Sequence, residues 1–207
     1  MTELIFLLDE SRSMDNHLDI YLNCLNSLVN TQKILNPTLE FTLIKFNNKI
    51  ECLCNEWDIT DIPNFTREHY HPNGGTSLID TIGLVLQEKI NKKHVILIIL
   101  TDGEDNASHK FNQTSVKSMI KSLSNWEFLY IATSPEASEF GNVCLGIDKG
   151  VTYNETKNSL DNVVEVCNIV IGQSIYKWHG VYTEYIQYSI PTDVRDIMNG
   201  LENFKME

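Results

Sequence analysis

The 207-residue chain predicts an α/β domain of three layers, doubly wound, with a mostly parallel sheet, one antiparallel hairpin strand at its edge and helices on both faces. Three observations lead there. First, short apolar runs, "LIFLL" (4–8), "HVILIIL" (94–100) and "EFLYIAT" (127–133), end in polar residues, as strands covered on both faces do. Second, segments with apolar residues at three- and four-residue steps lie between these runs, and strands alternating with such helices favour a parallel sheet. Third, "EFTLIKF" (40–46) and "KIECLC" (49–54) are joined at Asn47 and Asn48, residues that tolerate positive φ, which predicts a hairpin.

The helices follow in order. Leu18, Leu22, Leu25 and Val29 share one face of a helix over 15–35, which Asn36-Pro37 stops. The same period runs through 77–90 and 113–123. A longer helix is expected over 158–178, with Leu160, Val163, Val164 and Cys167 inward. After Gly180, "YTEYIQYSI" alternates like a strand and "PTDVRDIMNGLENF" suits a last helix. With no repeat or linker in view, 1–180 is expected to be one domain and 181–207 an extension packed on it.

Composition narrows the function. A net charge of −12 repels phosphate backbones, which disfavours nucleic acid as a partner. The apolar run at residue 4 is too short for a secretory leader, and no run approaches a membrane span. A cytoplasmic protein is therefore expected. The five cysteines, 24, 52, 54, 144 and 167, sit mostly among apolar neighbours and suit reduced thiols. Cys52 and Cys54, two apart on a strand, are expected to point the same way and to be structural, because no second pair completes a zinc site.

In an open parallel sheet, ligands gather outside the carboxyl ends of the strands. The first buried run is followed by Asp9, Ser11 and Ser13, and the run 94–100 by Thr101, Asp102, Gly103, Glu104 and Asp105. The loop "HYHPNGGTSLID" (69–80) presents Gly74, Gly75 and Thr76 before a helix. Asp9, Ser11, Ser13, Thr76 and Asp102 offer two carboxylates and three hydroxyls, hard oxygen donors that suit Mg²⁺ or Mn²⁺. Alternate spacing of Asp9, Ser11 and Ser13 fits a loop turning over a strand end. The glycines would bring Thr76 close, and Gly103 would let the chain turn away after Asp102. Thiolates are absent from all three loops.

"DESRS", "GGTSL" and "TDGED", in this order and spacing, resemble the metal-ion-dependent adhesion site of von Willebrand factor A domains. The resemblance spans roughly residues 3–178. It is nearest to the compact intracellular type of bacteria, phages and large DNA viruses, in which a segment like "TDGEDNASHKFNQTSVKSMI" precedes a strand like "NWEFLYIAT". It implies a Rossmann-like sheet and a protein-binding module rather than an enzyme. In that likeness Ser11, Ser13 and Thr76 would give side-chain oxygens to the ion. Asp9 and Asp102 would bind it directly or through water, and a last position would take a carboxylate from a partner protein. The glycine often found between the two serines is Arg12 here, which would crowd the rim or touch an anionic partner.

Simpler roles compete at each position. Asp9 to Ser13 could be a helix cap, Ser77 is expected to cap the helix that follows Thr76, and Asp102-Gly103 alone is a turn signal. Glu104 and Asp105 are expected to be solvated, as are His69 and His71. His17, His94, His109 and His179 are scattered and carry no role. Trp126, Phe128 and Tyr130 are expected in the core, and Trp178, Tyr182, Tyr185 and Tyr188 over the sheet edge. Two other functions fit parts of the pattern. A metal-dependent phosphohydrolase would use Asp9 as nucleophile, but Ser11 stands where such enzymes carry a second acid. A scaffold would bind partners without the metal.

Overall fold

In the computed structural model, which describes residues 1–103, 105–132, 137, 139–147, 150–152 and 157–180, six strands form a single sheet. They are β1 (Glu3–Asp9), β2 (Glu40–Phe46), β3 (Ile50–Asp58), β4 (Val95–Thr101), β5 (Trp126–Ala132) and β6 (Gly150–Thr152), in spatial order β3-β2-β1-β4-β5-β6. Every pairing is parallel except β2 with β3. The helices on its faces include α1 (Leu18–Leu35), α2 (Leu78–Glu88), α3 (Gln113–Ser122) and α4 (Lys157–His179).

The layers follow from the two-residue period of a strand. Leu4, Phe6 and Leu8 of β1 pack with Leu25 and Val29 of α1 and Val166 and Val170 of α4. Ile5 and Leu7 face the other way, onto Leu78, Ile82 and Leu86 of α2 and Val116 of α3. β1 and β4 are buried throughout, which explains why they read as continuous apolar runs. Trp126, Phe128 and Tyr130 lie in the core as expected, and Trp178 packs partly buried against it. Tyr182, Tyr185, Tyr188 and the rest of 181–207 lie outside the described residues, as does Glu104. No helix among the described residues is long and apolar enough to cross a membrane.

Several local expectations are corrected. The helix expected from residue 15 begins at Leu18, after a 3₁₀ turn over Arg12–His17. The hairpin turn uses no positive φ at Asn47 or Asn48; among the described non-glycine residues only Glu56 has one. Instead the Asn47 side chain accepts the Lys49 amide at 2.8 Å. Cys52 and Cys54 do not point the same way, because a bulge pairs Cys52 with Ile44 and Cys54 with Leu43, leaving Cys54 buried and Cys52 exposed. The short β6 and a π-helical turn over Phe140–Leu145 carry no periodic apolar signal and were not expected.

Gly83 is where α2 meets the loop between β4 and α3: an added Cβ would fall 2.4 Å from the Phe111 ring. Gly83→Ala is therefore expected to destabilise by about 1–3 kcal/mol despite alanine's better helix propensity, as read from a urea unfolding midpoint.

Candidate metal centre

The sheet order places β1 between β2 and β4, so the sheet grows to one side of β1 with β2 and β3 and to the other with β4 and β5, and the carboxyl ends of β1 and β4 flank the switch point where ligands gather. Asp9 ends β1 and Thr101 ends β4, two adjacent parallel strands, and Asp102 follows. Asp9 is fully buried. Its Oδ1 accepts the Ser11 amide at 2.7 Å and its Oδ2 accepts the Thr101 hydroxyl at 2.6 Å. The Ser11 and Ser13 hydroxyls are 3.1 Å apart, and Ser13 Oγ donates to Asp102 Oδ1 at 2.8 Å.

The glycine loop is tied to both neighbours by its backbone. Asn73 N donates to Glu10 O at 2.8 Å and Arg12 N to Gly74 O at 3.1 Å, joining it to the β1 loop. On the other side, Thr76 N donates to Asn106 Oδ1 at 2.8 Å, while Asn106 N and Ala107 N donate back to Thr76 O. Gly74 has φ +75°, and an added Cβ would fall 2.1 Å from the Asn48 amide oxygen, which accepts the Gly75 amide. Four of the five candidate residues, Asp9, Ser11, Ser13 and Asp102, thus form a hydrogen-bonded chain through Thr101 and the serine hydroxyls. Thr76 is brought beside them through backbone bonds. Among the described residues, no hydrogen bond joins its hydroxyl to the other four.

The donor set fits a small divalent cation. Cis oxygens around Mg²⁺, each about 2.0–2.1 Å from the ion, stand about 2.9 Å apart. The 3.1 Å and 2.8 Å separations along Ser11, Ser13 and Asp102 match that spacing. No group of three or more His, Cys, Asp or Glu side chains placed to hold a metal ion occurs among the described residues, so an ion here would depend on hydroxyl oxygens. Burial raises the Asp9 carboxyl to about 6; the Thr101 hydroxyl and the Ser11 amide favour its ionised form, and the charge of Asp102 opposes it.

Residues that the sequence left without a role hold this arrangement in place. Glu10 is buried beside Lys45 of β2, with Nζ to Oε1 at 3.0 Å, and Oε1 also accepts the His71 amide at 2.7 Å. Lys45 in turn donates to His69 O at 3.1 Å, so one buried ion pair steadies the approach to the glycines. Asp80 accepts the amides of His109, Lys110 and Phe111, each at 2.8 Å, and so shapes the loop after β4. Asp105, expected in solvent, instead accepts the Ile79 amide at 2.7 Å in the first turn of α2. Ser77, expected as the cap, occupies the N-cap position with no side-chain cap bond; its hydroxyl donates to Asn47 O.

Two further expectations change. Gly103 has an ordinary negative or extended φ with open space where a Cβ would stand, so the turn after Asp102 does not require glycine. His69 and His71 are occupied within their own loop, at 3.1 Å from Thr66 N and 3.0 Å from Glu68 O. Arg12 is exposed at the rim and meets the glycine loop through its backbone.

Comparison with known proteins agrees with this architecture. The family model described as the von Willebrand factor type A domain matches residues 3–127. Among solved structures, the ArnB paralog VWA2 from Sulfolobus acidocaldarius is similar with a TM-score of 0.60 at 21% identity, covering 79% of this chain and 44% of that one. A von Willebrand factor type A protein from Catenulispora acidiphila gives 0.56 at 15%, covering 83% and 42%. Proximal thread matrix protein 1 from the mussel byssus gives 0.58 at 17%, covering 82% and 45%. At these identities the likeness is one of fold, and the chain matches less than half the length of each. A search of curated proteins found no match.

Proposed function

The chain belongs to the von Willebrand factor type A domain family, whose members generally mediate protein–protein interaction, and from that premise we propose that it is a divalent-metal-dependent protein-binding module. Asp9, Ser11, Ser13, Thr76 and Asp102 would hold Mg²⁺ or Mn²⁺, and the ion would supply a Lewis-acidic position for a carboxylate of a partner protein. The observation that supports this most is the run of oxygens from Ser11 through Ser13 to Asp102 at cis-ligand spacing. Two carboxylates would only balance a divalent charge, and the attraction for an anion would come from the ion's open coordination position. The phosphohydrolase reading is weaker, because Ser11 stands where such enzymes carry a second acid, and its amide is committed to Asp9 Oδ1.

Thermal unfolding in EDTA and in Mg²⁺ tests the first step. At ten times Kd, bound metal is expected to stabilise by about 1.4 kcal/mol, an upward shift of roughly 3–6 °C, with no shift in Asp102→Ala. Partner recovery from a lysate of the source cell should then require both Mg²⁺ and Asp102. Recovery indifferent to both would support the scaffold instead.

A further inference from the structure

The opposite pole of the sheet holds a second group of donors. His94 immediately precedes β4, and His179 ends α4, 85 residues later. Their Nδ1 and Nε2 atoms lie 3.4 Å apart, and the ring centroids 5.0 Å apart with planes at 59°. Two imidazoles linked head-on by a hydrogen bond at that N···N distance would have centroids about 5.7 Å apart, so the nitrogens are turned to one side of the line between the rings. Two imidazoles on one tetrahedral Zn²⁺, with Zn–N of about 2.0–2.1 Å, have nitrogens about 3.4 Å and centroids about 5 Å apart. Both separations fit the second geometry.

We propose that His94 and His179 form a binding site for a late first-row transition-metal ion, Zn²⁺ above all, distinct from the oxygen-lined crevice at the other end of β4. Imidazole is the donor type that Zn²⁺, Ni²⁺ and Cu²⁺ take and that Mg²⁺ does not. The pole is some 20–25 Å from the crevice across the seven residues of β4, so the two sites do not compete. Thr2, itself buried, places its hydroxyl 2.8 Å from His179 Nε2. With the metal in place, that hydroxyl turns to a metal-bound water, and water fills the remaining positions. His94 is half-buried and stacks on Trp178 at 4.9 Å, which fixes its ring. Burial, and then the neighbouring His179 ring, lower the His94 pKa, which favours the neutral imidazole that a metal needs. A bound ion would pin the end of α4 to the start of β4.

The stack on Trp178 provides a direct readout. Ni²⁺ added to the full chain, in a Cys52→Ser background with excess Mg²⁺ present, is expected to quench Trp178 fluorescence, and Zn²⁺ to reverse the quenching. Calorimetric titration with Zn²⁺ should give one site per chain. His94→Gln and His179→Gln should each weaken it by roughly tenfold or more, and the double variant little further. Trp178→Phe should abolish the quenching and keep Zn²⁺ binding, and Asp102→Ala should change neither. No quenching in the wild-type chain, quenching that Zn²⁺ does not reverse, or Zn²⁺ affinity unchanged in both glutamine variants would each overturn the assignment.

Discussion

Lys45→Met is expected to cost about 3–5 kcal/mol of stability, because it leaves the Glu10 carboxylate buried without its cation. Both side chains are only 8% exposed, so water cannot replace the lost partner. The pair's net worth is smaller than this loss, since burying two charges is itself unfavourable. The double variant Glu10→Gln with Lys45→Met should therefore recover more than half of the deficit, because glutamine still offers an oxygen to the His71 amide. Urea unfolding of the two single variants and the double variant forms the cycle. A double variant as unstable as Lys45→Met would show that the loss of the lysine's other contacts, to His69 O and Glu51, and not the stranded carboxylate, sets the cost. Because Glu10 and Lys45 anchor the approach to Gly74, the single variant should also blunt the thermal response to Mg²⁺.

The second large effect runs the other way. Without metal, Asp9→Asn is expected to stabilise the protein at about pH 7.5 by roughly 2 kcal/mol, or about 4–8 °C. The sign follows from the raised pKa. With the folded-state value at about 6 against an ordinary 3.8, the native protein holds a proton that the unfolded chain has released over that interval. The stability from this group is present below the unfolded value and is lost as pH rises through about 6. Above that, the buried charge weighs about 3 kcal/mol against the fold, less whatever asparagine forfeits by facing Thr101 with an amide. The advantage of asparagine should fade towards pH 4, and saturating Mg²⁺ should reverse the order by stabilising only the wild type. Melts at several pH values, with EDTA and with Mg²⁺, measure all three effects. An Asp9→Asn protein less stable than wild type in EDTA at pH 7.5 would contradict the burial account.

The fold was largely legible because β1, β2, β4 and β5 are buried on both faces and the helices on one, which are the two patterns that periodicity reports best. Asp9, Ser11 and Ser13 were legible as a group because they are neighbours in sequence as well as in space. What supports them was not. Lys45 reaches Glu10 only through the parallel register that sets Leu8 beside Lys45 and Asp9 beside Phe46. Asp80 and Asp105 bridge the glycine-loop helix and the β4 loop across 26 to 31 residues. Thr101 read as the first residue after a strand, and only the adjacency of β1 and β4 turns its hydroxyl to Asp9. His94 and His179 looked scattered for the same reason. The bulge in β3 that separates Cys52 from Cys54 leaves no mark at all in an alternating sequence.

The central position of β1 has a consequence for motion. Its backbone is hydrogen-bonded along both edges, to β2 and to β4, so the amide hydrogens of Leu4–Leu8 can exchange with solvent only when the whole domain opens. Asp9 therefore stands on the slowest-exchanging element, while the glycine loop and the loop after β4 are held mainly by single amides and side chains. Ordering on ion capture should fall on those two walls and not on the floor. Deuterium uptake with and without Mg²⁺ should then differ across 71–76 and 105–111 and coincide across 4–8.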